Sequence, residues 1–219
     1  MSDTVKNIIE GFAGIETENS KKIGLYFGSF NPIHIGHLII ANYMVQTADI
    51  EEIWFVVSPE NPHKKKANLL ADVHRLAMVR VAVEDNPKLK ANDIEFSLPK
   101  PSYTVFSLQA LKEKYPNHTF SLIMGEDNLR TLHKWRNYEY LIENYSILVY
   151  PRIATIQEKE NGLEDPNEIL NLPNVKLTES PVMAISSSMI RKMIQEGKSV
   201  RYLLSEAVFT YLDEMNFYR

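Results

Sequence analysis

Short, mainly apolar runs punctuate the chain at Ile23-Gly24-Leu25-Tyr26-Phe27, Ile53-Trp54-Phe55-Val56-Val57, residues 119–124 and residues 146–150. Runs of this kind, bounded by turn residues, predict strands buried on both faces of a sheet. Residues 91–96 and 175–177 add two shorter candidates. Between the runs, apolar positions recur at helical spacing in residues 38–45, 70–79, 105–115, 135–144, 189–196 and 203–215. Asn86-Pro87 closes the second of these helices, Ser102 or Thr104 is the expected cap of the third, and Gly197 ends the fifth. Strands and helices alternate from Lys22 to Pro151. That alternation predicts a doubly wound, mainly parallel α/β sheet covered by helices on both faces. Ligands of such sheets bind beyond the carboxyl ends of the strands.

Three stretches stand outside the pattern. In residues 1–21, Val5, Ile8, Ile9 and Phe12 suit one face of a short helix, but Gly11 and Gly14 weaken it, so a tail or packing appendage is expected. Residues 58–66 hold two prolines and three consecutive lysines and read as a loop. Residues 154–171 are polar and acidic and read as a surface excursion. The whole chain has 219 residues, 44% of them hydrophobic, enough for one α/β domain. Its net charge of -4 argues against nucleic acid as a partner. With no cysteine, disulfides and thiol chemistry are excluded. Residues 1–20 lack the features of a signal peptide, and no apolar stretch approaches a membrane span. A soluble, cytoplasmic protein with no membrane partner is expected.

The chemistry concentrates where the first run ends. Gly28-Ser29-Phe30-Asn31-Pro32-Ile33-His34-Ile35-Gly36-His37 leads from a strand straight into a helix. First-turn N–H groups without partners and the positive end of the helix dipole make such a junction an anion site. Gly28 and Ser29 let a phosphate approach the backbone, and Pro32 stiffens the loop. His34 and His37 are three apart; if both lie in the first turn, their rings share one face. Late in the chain, Ile185-Ser186-Ser187-Ser188-Met189-Ile190-Arg191 offers hydroxyls at a helix start and a guanidinium fork, again suited to phosphate. Asp127, in Gly125-Glu126-Asp127-Asn128 at a strand end, is placed to accept from ribose hydroxyls and has no partner at metal-ligand spacing. Arg75 is a further candidate on the second helix, where Asp72 reads as a first-turn charge. Trp54 reads as core, and Trp135, on spacing alone, as core or interface.

The first motif resembles the H-x-G-H signature of the nucleotidyltransferase superfamily, and the late one its I-S-S-T-x-I-R motif. Pro62-His63-Lys64 matches a P-P-H-K loop with Asn61 in place of the first proline, and Asp127 matches a G-x-D pattern. From about Lys22 to Leu212 the chain is similar to bacterial nicotinate-nucleotide adenylyltransferases, many of which carry glycine where Phe27 stands. The resemblance implies a Rossmann-like nucleotidyltransferase fold, a single domain over 22–219, with 1–21 an appendage of unknown role. It implies transfer of the adenylyl group of ATP to nicotinate mononucleotide, giving deamido-NAD and pyrophosphate in NAD biosynthesis. His34 and His37 would be catalytic. ATP would be bound by Gly28, Ser29, Phe30, His34, His37, Asp127, Ile185, Ser187, Ser188 and Arg191. The acceptor would be bound by Asn31, His63, Lys64, Tyr103, Thr104 and Trp135, with Tyr103, Thr104 and Trp135 flanking the pyridine ring. Mg²⁺ would be held through the ATP phosphates and water rather than by protein ligands. The alternatives are a nicotinamide-nucleotide or a phosphopantetheine adenylyltransferase, the latter usually shorter and without the tryptophan segment. Aminoacyl-tRNA synthetases also carry a His-Ile-Gly-His, but this chain is short for one and lacks a tRNA-binding extension. Intact His34, His37 and Arg191 argue against a non-catalytic nucleotide sensor. The oligomeric state stays open, a homo-oligomer included.

Overall fold

The computed structural model describes residues 20–59, 69–153 and 167–219, with residues 167 and 168 described only as backbone. The described residues form one six-stranded sheet from β1 (Lys22–Gly28), β2 (Glu52–Val57), β3 (Leu89–Asn92), β4 (Thr119–Gly125), β5 (Ser146–Tyr150) and β6 (Val175–Leu177). The order is β3-β2-β1-β4-β5-β6 and every pairing is parallel. Around it lie α1 (Ile35–Thr47), α2 (Asp72–Val83), α3 (Thr104–Lys114), α4 (Glu126–Arg130), α5 (Tyr138–Asn144), α6 (Asn167–Leu170), α7 (Ser187–Gln195) and α8 (Glu206–Glu214).

Side-chain alternation along the central strands divides the core in two. Tyr26, Ile53, Phe55, Val57, Ile123 and Leu148 face the layer that holds α1, α2 and α8. Ile23, Leu25, Trp54, Val56, Leu122 and Val149 face the layer that holds α3 and α5. Both faces of each strand are therefore apolar, which is why the strands read as unbroken runs rather than alternating ones. The chain steps outward from β1 through β2 to β3, then returns to the other side of β1 with β4. The order reverses between β1 and β4, and a crevice opens beyond their carboxyl ends.

Three predicted elements are corrected. Residues 91–96 are not one strand: β3 stops at Asn92 and Ile94–Ser97 forms a 3₁₀ turn. The Asn92 side chain accepts the Ile94 N–H at 2.9 Å, pulling the backbone out of the ladder. The helix predicted from Trp135 begins at Tyr138, because Asn137 is left-handed at φ 54° and breaks the run from the 3₁₀ turn Leu132–Lys134. The cap of α3 is Tyr103, with no side-chain cap bond, rather than Ser102 or Thr104. The predicted surface excursion lies mostly outside the described residues, although α6 falls within it. Residues 1–19 of the N-terminal appendage also lie outside them. Among the described residues no helix is long and apolar enough to cross a membrane.

Arg75, a phosphate candidate from sequence, is instead the fold's internal clamp. It is 0% exposed. Its Nε donates to Leu70 O at 3.0 Å, and its Nη1 to Ser29 O at 2.6 Å and Ser58 O at 2.8 Å. Its Nη2 donates to Pro59 O at 3.2 Å and to Asp72 Oδ1 at 2.6 Å. All five guanidinium N–H groups are spent. The carboxyl ends of β1 and β2 are thereby held together from behind. Lysine has three donors on one nitrogen and cannot reach this spread of carbonyls. Arg75→Lys is expected to lower the free energy of unfolding by about 1–3 kcal/mol, the usual cost of leaving buried acceptors unmade. An unchanged urea midpoint would show that the carbonyls find other partners.

Candidate active site

A cavity of about 310 Å³ lies at the crevice, lined from the ends of β1, β4 and β5 and from the start of α7. Its floor is the H-x-G-H segment. His34 is the N-cap of α1, just outside the helix, and His37 lies in its first turn. The two rings stack at 3.7 Å between centroids, 23° from parallel. The His34 N–H donates to His37 Nδ1 at 3.3 Å. In the neutral His37 ring that acceptor role leaves Nε2 as the protonated nitrogen. Phe30 and Tyr26 meet His37 edge-on at 5.2 and 5.8 Å, fixing its plane. Phe30 takes φ 44°, a left-handed conformation that costs an aromatic residue about 1–2 kcal/mol. Its ring is buried to 2% exposure beside Gly28, where a Cβ would come within 2.8 Å of it. Gly28 therefore makes room for Phe30. Phe27 stands at the cavity wall.

His34 is only 4% exposed, and its Nδ1 is buried without a hydrogen-bond partner. Burial pushes its pKa from 6.5 down to about 4, with a smaller push from the Arg152 charge. The ring is therefore neutral at pH 7. A depressed folded-state pKa means that the unfolded chain binds the proton more readily. Stability from this group is complete above pH 6.5 and is lost as the pH falls toward 4. At pH 5 the loss is expected to be about 2 kcal/mol. His34→Gln should flatten that part of the curve of denaturant stability against pH; an unaltered slope between pH 6.5 and 4 would contradict it.

The late motif closes over this floor. Ser186 caps α7, accepting the Met189 N–H at 3.2 Å. Ser187 Oγ donates to Pro32 O at 2.9 Å. Arg191 donates from Nη1 to Asn31 O at 2.7 Å and from Nη2 to Ser188 Oγ at 3.2 Å. Two motifs about 150 residues apart are thus joined through backbone carbonyls of the first. Asn31 is 4% exposed, and its Oδ1 accepts from Leu70 N at 3.2 Å and Tyr218 Oη at 2.6 Å. Its carboxamide oxygen is therefore engaged in bracing the loop, although Asn31 was expected to bind the acceptor.

Across the cavity Asp127 lies in the first turn of α4, its Oδ2 paired with Arg152. Its Oδ1 is buried with no partner. A Cβ on Gly125 would meet that oxygen and come within 2.9 Å of the Tyr150 ring, so a side chain there would have to displace both. Tyr26 and Tyr150 complete the floor, their ring centroids 5.7 Å apart. Burial raises the pKa of both hydroxyls. Arg152, Tyr26 and Tyr150 were not anticipated as site residues. The signal for Arg152 was its place just past a strand's carboxyl end.

The cavity brings together Gly28, Ser29, Phe30, Asn31, His34, His37, Asp127, Ile185, Ser187, Ser188 and Arg191, and excludes Tyr103, Thr104 and Trp135. Those three belong to the opposite side of the sheet. Tyr103 and the half-buried Trp135 pack against the α3–α5 layer. Arg136 lies over the rings of Tyr103 and Phe106 at 5.1 and 5.0 Å. His63 and Lys64 lie outside the described residues.

Comparison with known proteins identifies the family and the fold. The cytidylyltransferase-like family profile matches residues 25–193, a span that runs from β1 into α7. A nicotinate-nucleotide adenylyltransferase of Flavobacterium johnsoniae is 57% identical over 198 residues, covering 90% of this chain and 99% of that one. The chain belongs to the nicotinate-nucleotide adenylyltransferase family. The family's homologue in Christiangramia forsetii is 52% identical over 200 residues, 91% of this chain and all of that one. The family fold also extends to a solved Plasmodium falciparum nicotinic acid mononucleotide adenylyltransferase complexed with NaAD. It matches at a TM-score of 0.73 and 24% identity, over 90% of this chain and 97% of the other.

Proposed function

We propose that this chain transfers the adenylyl group of ATP to nicotinate mononucleotide, in the cytoplasm, as a step of NAD biosynthesis. A phosphate oxygen of the acceptor attacks the α-phosphorus of ATP. The new P–O bond forms as the bond to the bridging oxygen breaks, and pyrophosphate leaves with that electron pair. Such an in-line displacement asks the protein for positioned reactants and for positive or hydrogen-bond-donating groups around the crowded phosphorus. The observation that carries the reading is the stacked His34–His37 pair at a helix start, roofed by the Ser187 and Arg191 contacts to the same loop.

In this reading His37 Nε2–H and the first-turn N–H groups of α1 meet the developing charge. Ser188 and Arg191 face the outer phosphates, with Ile185 and Ser187 framing them. The free Oδ1 of Asp127 accepts from the ribose, and Gly28 and Ser29 leave room for the nucleotide. The acceptor's phosphate falls to His63 and Lys64, its ring to Tyr103, Thr104 and Trp135. Among the described residues no three histidine or acidic side chains cluster to hold an ion. Mg²⁺ would be held by the ATP phosphates and water and would supply the charge that neutralises the triphosphate. Residues 22–219 form the transferase domain, and 1–21 an appendage to it.

The test is pyrophosphate release from ATP by the purified chain across a panel of phosphate-bearing acceptors. Turnover is expected with nicotinate mononucleotide, and far less with phosphopantetheine. Release with no pyridine mononucleotide would overturn the proposal.

A further inference from the structure

The 3₁₀ turn after β3 buries a carboxyl that the proposed chemistry does not use. Glu95 is 1% exposed, and Ile94 and Phe96 on either side of it pack into opposite core layers. Its Oε1 accepts a 2.6 Å hydrogen bond from Ser107 Oγ in α3. The same hydroxyl lies 3.4 Å from the carbonyl oxygen of Tyr103, four residues back. One proton cannot serve both acceptors fully, and the shorter contact takes it. The Tyr103 carbonyl is then left to the Phe106 and Ser107 N–H groups at 2.9 and 3.3 Å, which are the first-turn bonds of α3. The hydroxyls of Ser58, past the end of β2, and Ser102, before α3, also lie near enough to favour the carboxylate. Even so, Glu95 Oε2 and Ser102 Oγ complete no hydrogen bond of good geometry. Burial outweighs these hydroxyls and raises the Glu95 pKa. No cation contributes to that balance, so what the side chain offers its neighbours is acceptor geometry rather than charge pairing.

An isolated acid is an expensive way to fill an apolar junction. Here it bonds the Ser107 hydroxyl of α3, with the Ser58 hydroxyl past β2 and the Ser102 hydroxyl before α3 close by. We propose that Glu95 is a positioning residue for the acceptor subsite, holding Ser102-Tyr103-Thr104 in register with the carboxyl end of β2. The proposal rests on the reading that this segment meets the acceptor ring. Without the carboxylate, the Ser107 hydroxyl turns back to the Tyr103 carbonyl, a bond that bends helices. The start of α3 then shifts, while the ATP side, built on α1 and α7, stays in place.

The test compares steady-state kinetics of the wild type, Glu95→Leu, Glu95→Gln and Ser107→Ala with ATP and nicotinate mononucleotide. Glu95→Leu should raise KM for the mononucleotide about tenfold or more, in line with the effect of sub-ångström misplacement, and leave KM for ATP within about twofold. Glu95→Gln keeps an acceptor oxygen for Ser107 and should restore most of the loss. A folded Glu95→Leu variant whose KM for the mononucleotide is unchanged, or whose two KM values rise together, overturns the proposal. If Glu95→Leu does not fold, Ser107→Ala decides, and an unchanged KM for the mononucleotide in that variant overturns it equally. A wild type without turnover on nicotinate mononucleotide overturns the proposed function instead. The positioning role is then judged by the same KM split on whichever acceptor the panel identifies.

Discussion

Specificity constants for nicotinate and nicotinamide mononucleotides are expected to differ by about 10⁴ in favour of the acid, the range reached when a site pairs specific polar groups. The two acceptors differ only in the ring substituent. The acid presents two acceptor oxygens and a negative charge; the amide replaces one oxygen with a donor. Helix α3 begins at Thr104 with no side chain capping its first turn, and Arg136 lies over the neighbouring Tyr103 ring. An uncapped helix start aims N–H groups and positive potential at whatever binds there. A carboxylate satisfies both, whereas a carboxamide turns donors against donors. Trp135→Ala should raise KM for the acid and leave KM for ATP nearly unchanged. Equal specificity constants, or a preference for the amide, would remove the acid assignment and leave adenylyl transfer standing.

His37→Ala is expected to lower turnover by about 10²–10³, by analogy with removing one oxyanion donor. The ring does three things at once. It stacks on His34 and accepts the His34 N–H, and in the proposed function its Nε2–H meets the developing charge. Only the last acts more strongly in the transition state than in the ground state, so the loss should fall mainly on kcat. His37 is half-buried at the helix surface, and the core beneath it rests on Ile40 and Met44, so the fold should survive. A folded His37→Ala variant with near-normal single-turnover rates would sink the assignment.

The sheet was legible because its strands are buried on both faces and read as unbroken apolar runs. The helix starts at His34 and Ser186 were legible because each sits at a strand or loop entry to a helix, where local sequence dictates local geometry. What escaped depended on distant contacts. Ile94 and Phe96 alternate as a strand would, and only the Asn92 turn shows why they are not one. Asn137 is an ordinary helix-compatible residue until its backbone is seen to be left-handed. Arg75 read as a phosphate candidate, since nothing in its neighbourhood announces acceptors from Ser29, Ser58 and Pro59. The pairing of Asp127 with Arg152 spans two strands and a helix, and no spacing rule reaches across it.

The clamp made by Arg75 has a practical corollary for engineering. The segment between β2 and α2 departs at Pro59 and returns at Leu70, and the carbonyls of both residues bond the same guanidinium. Both stems are thus pinned to one buried point, so a change that displaces either carbonyl is felt at the other. A graft made at these stems has to keep both carbonyls on the guanidinium.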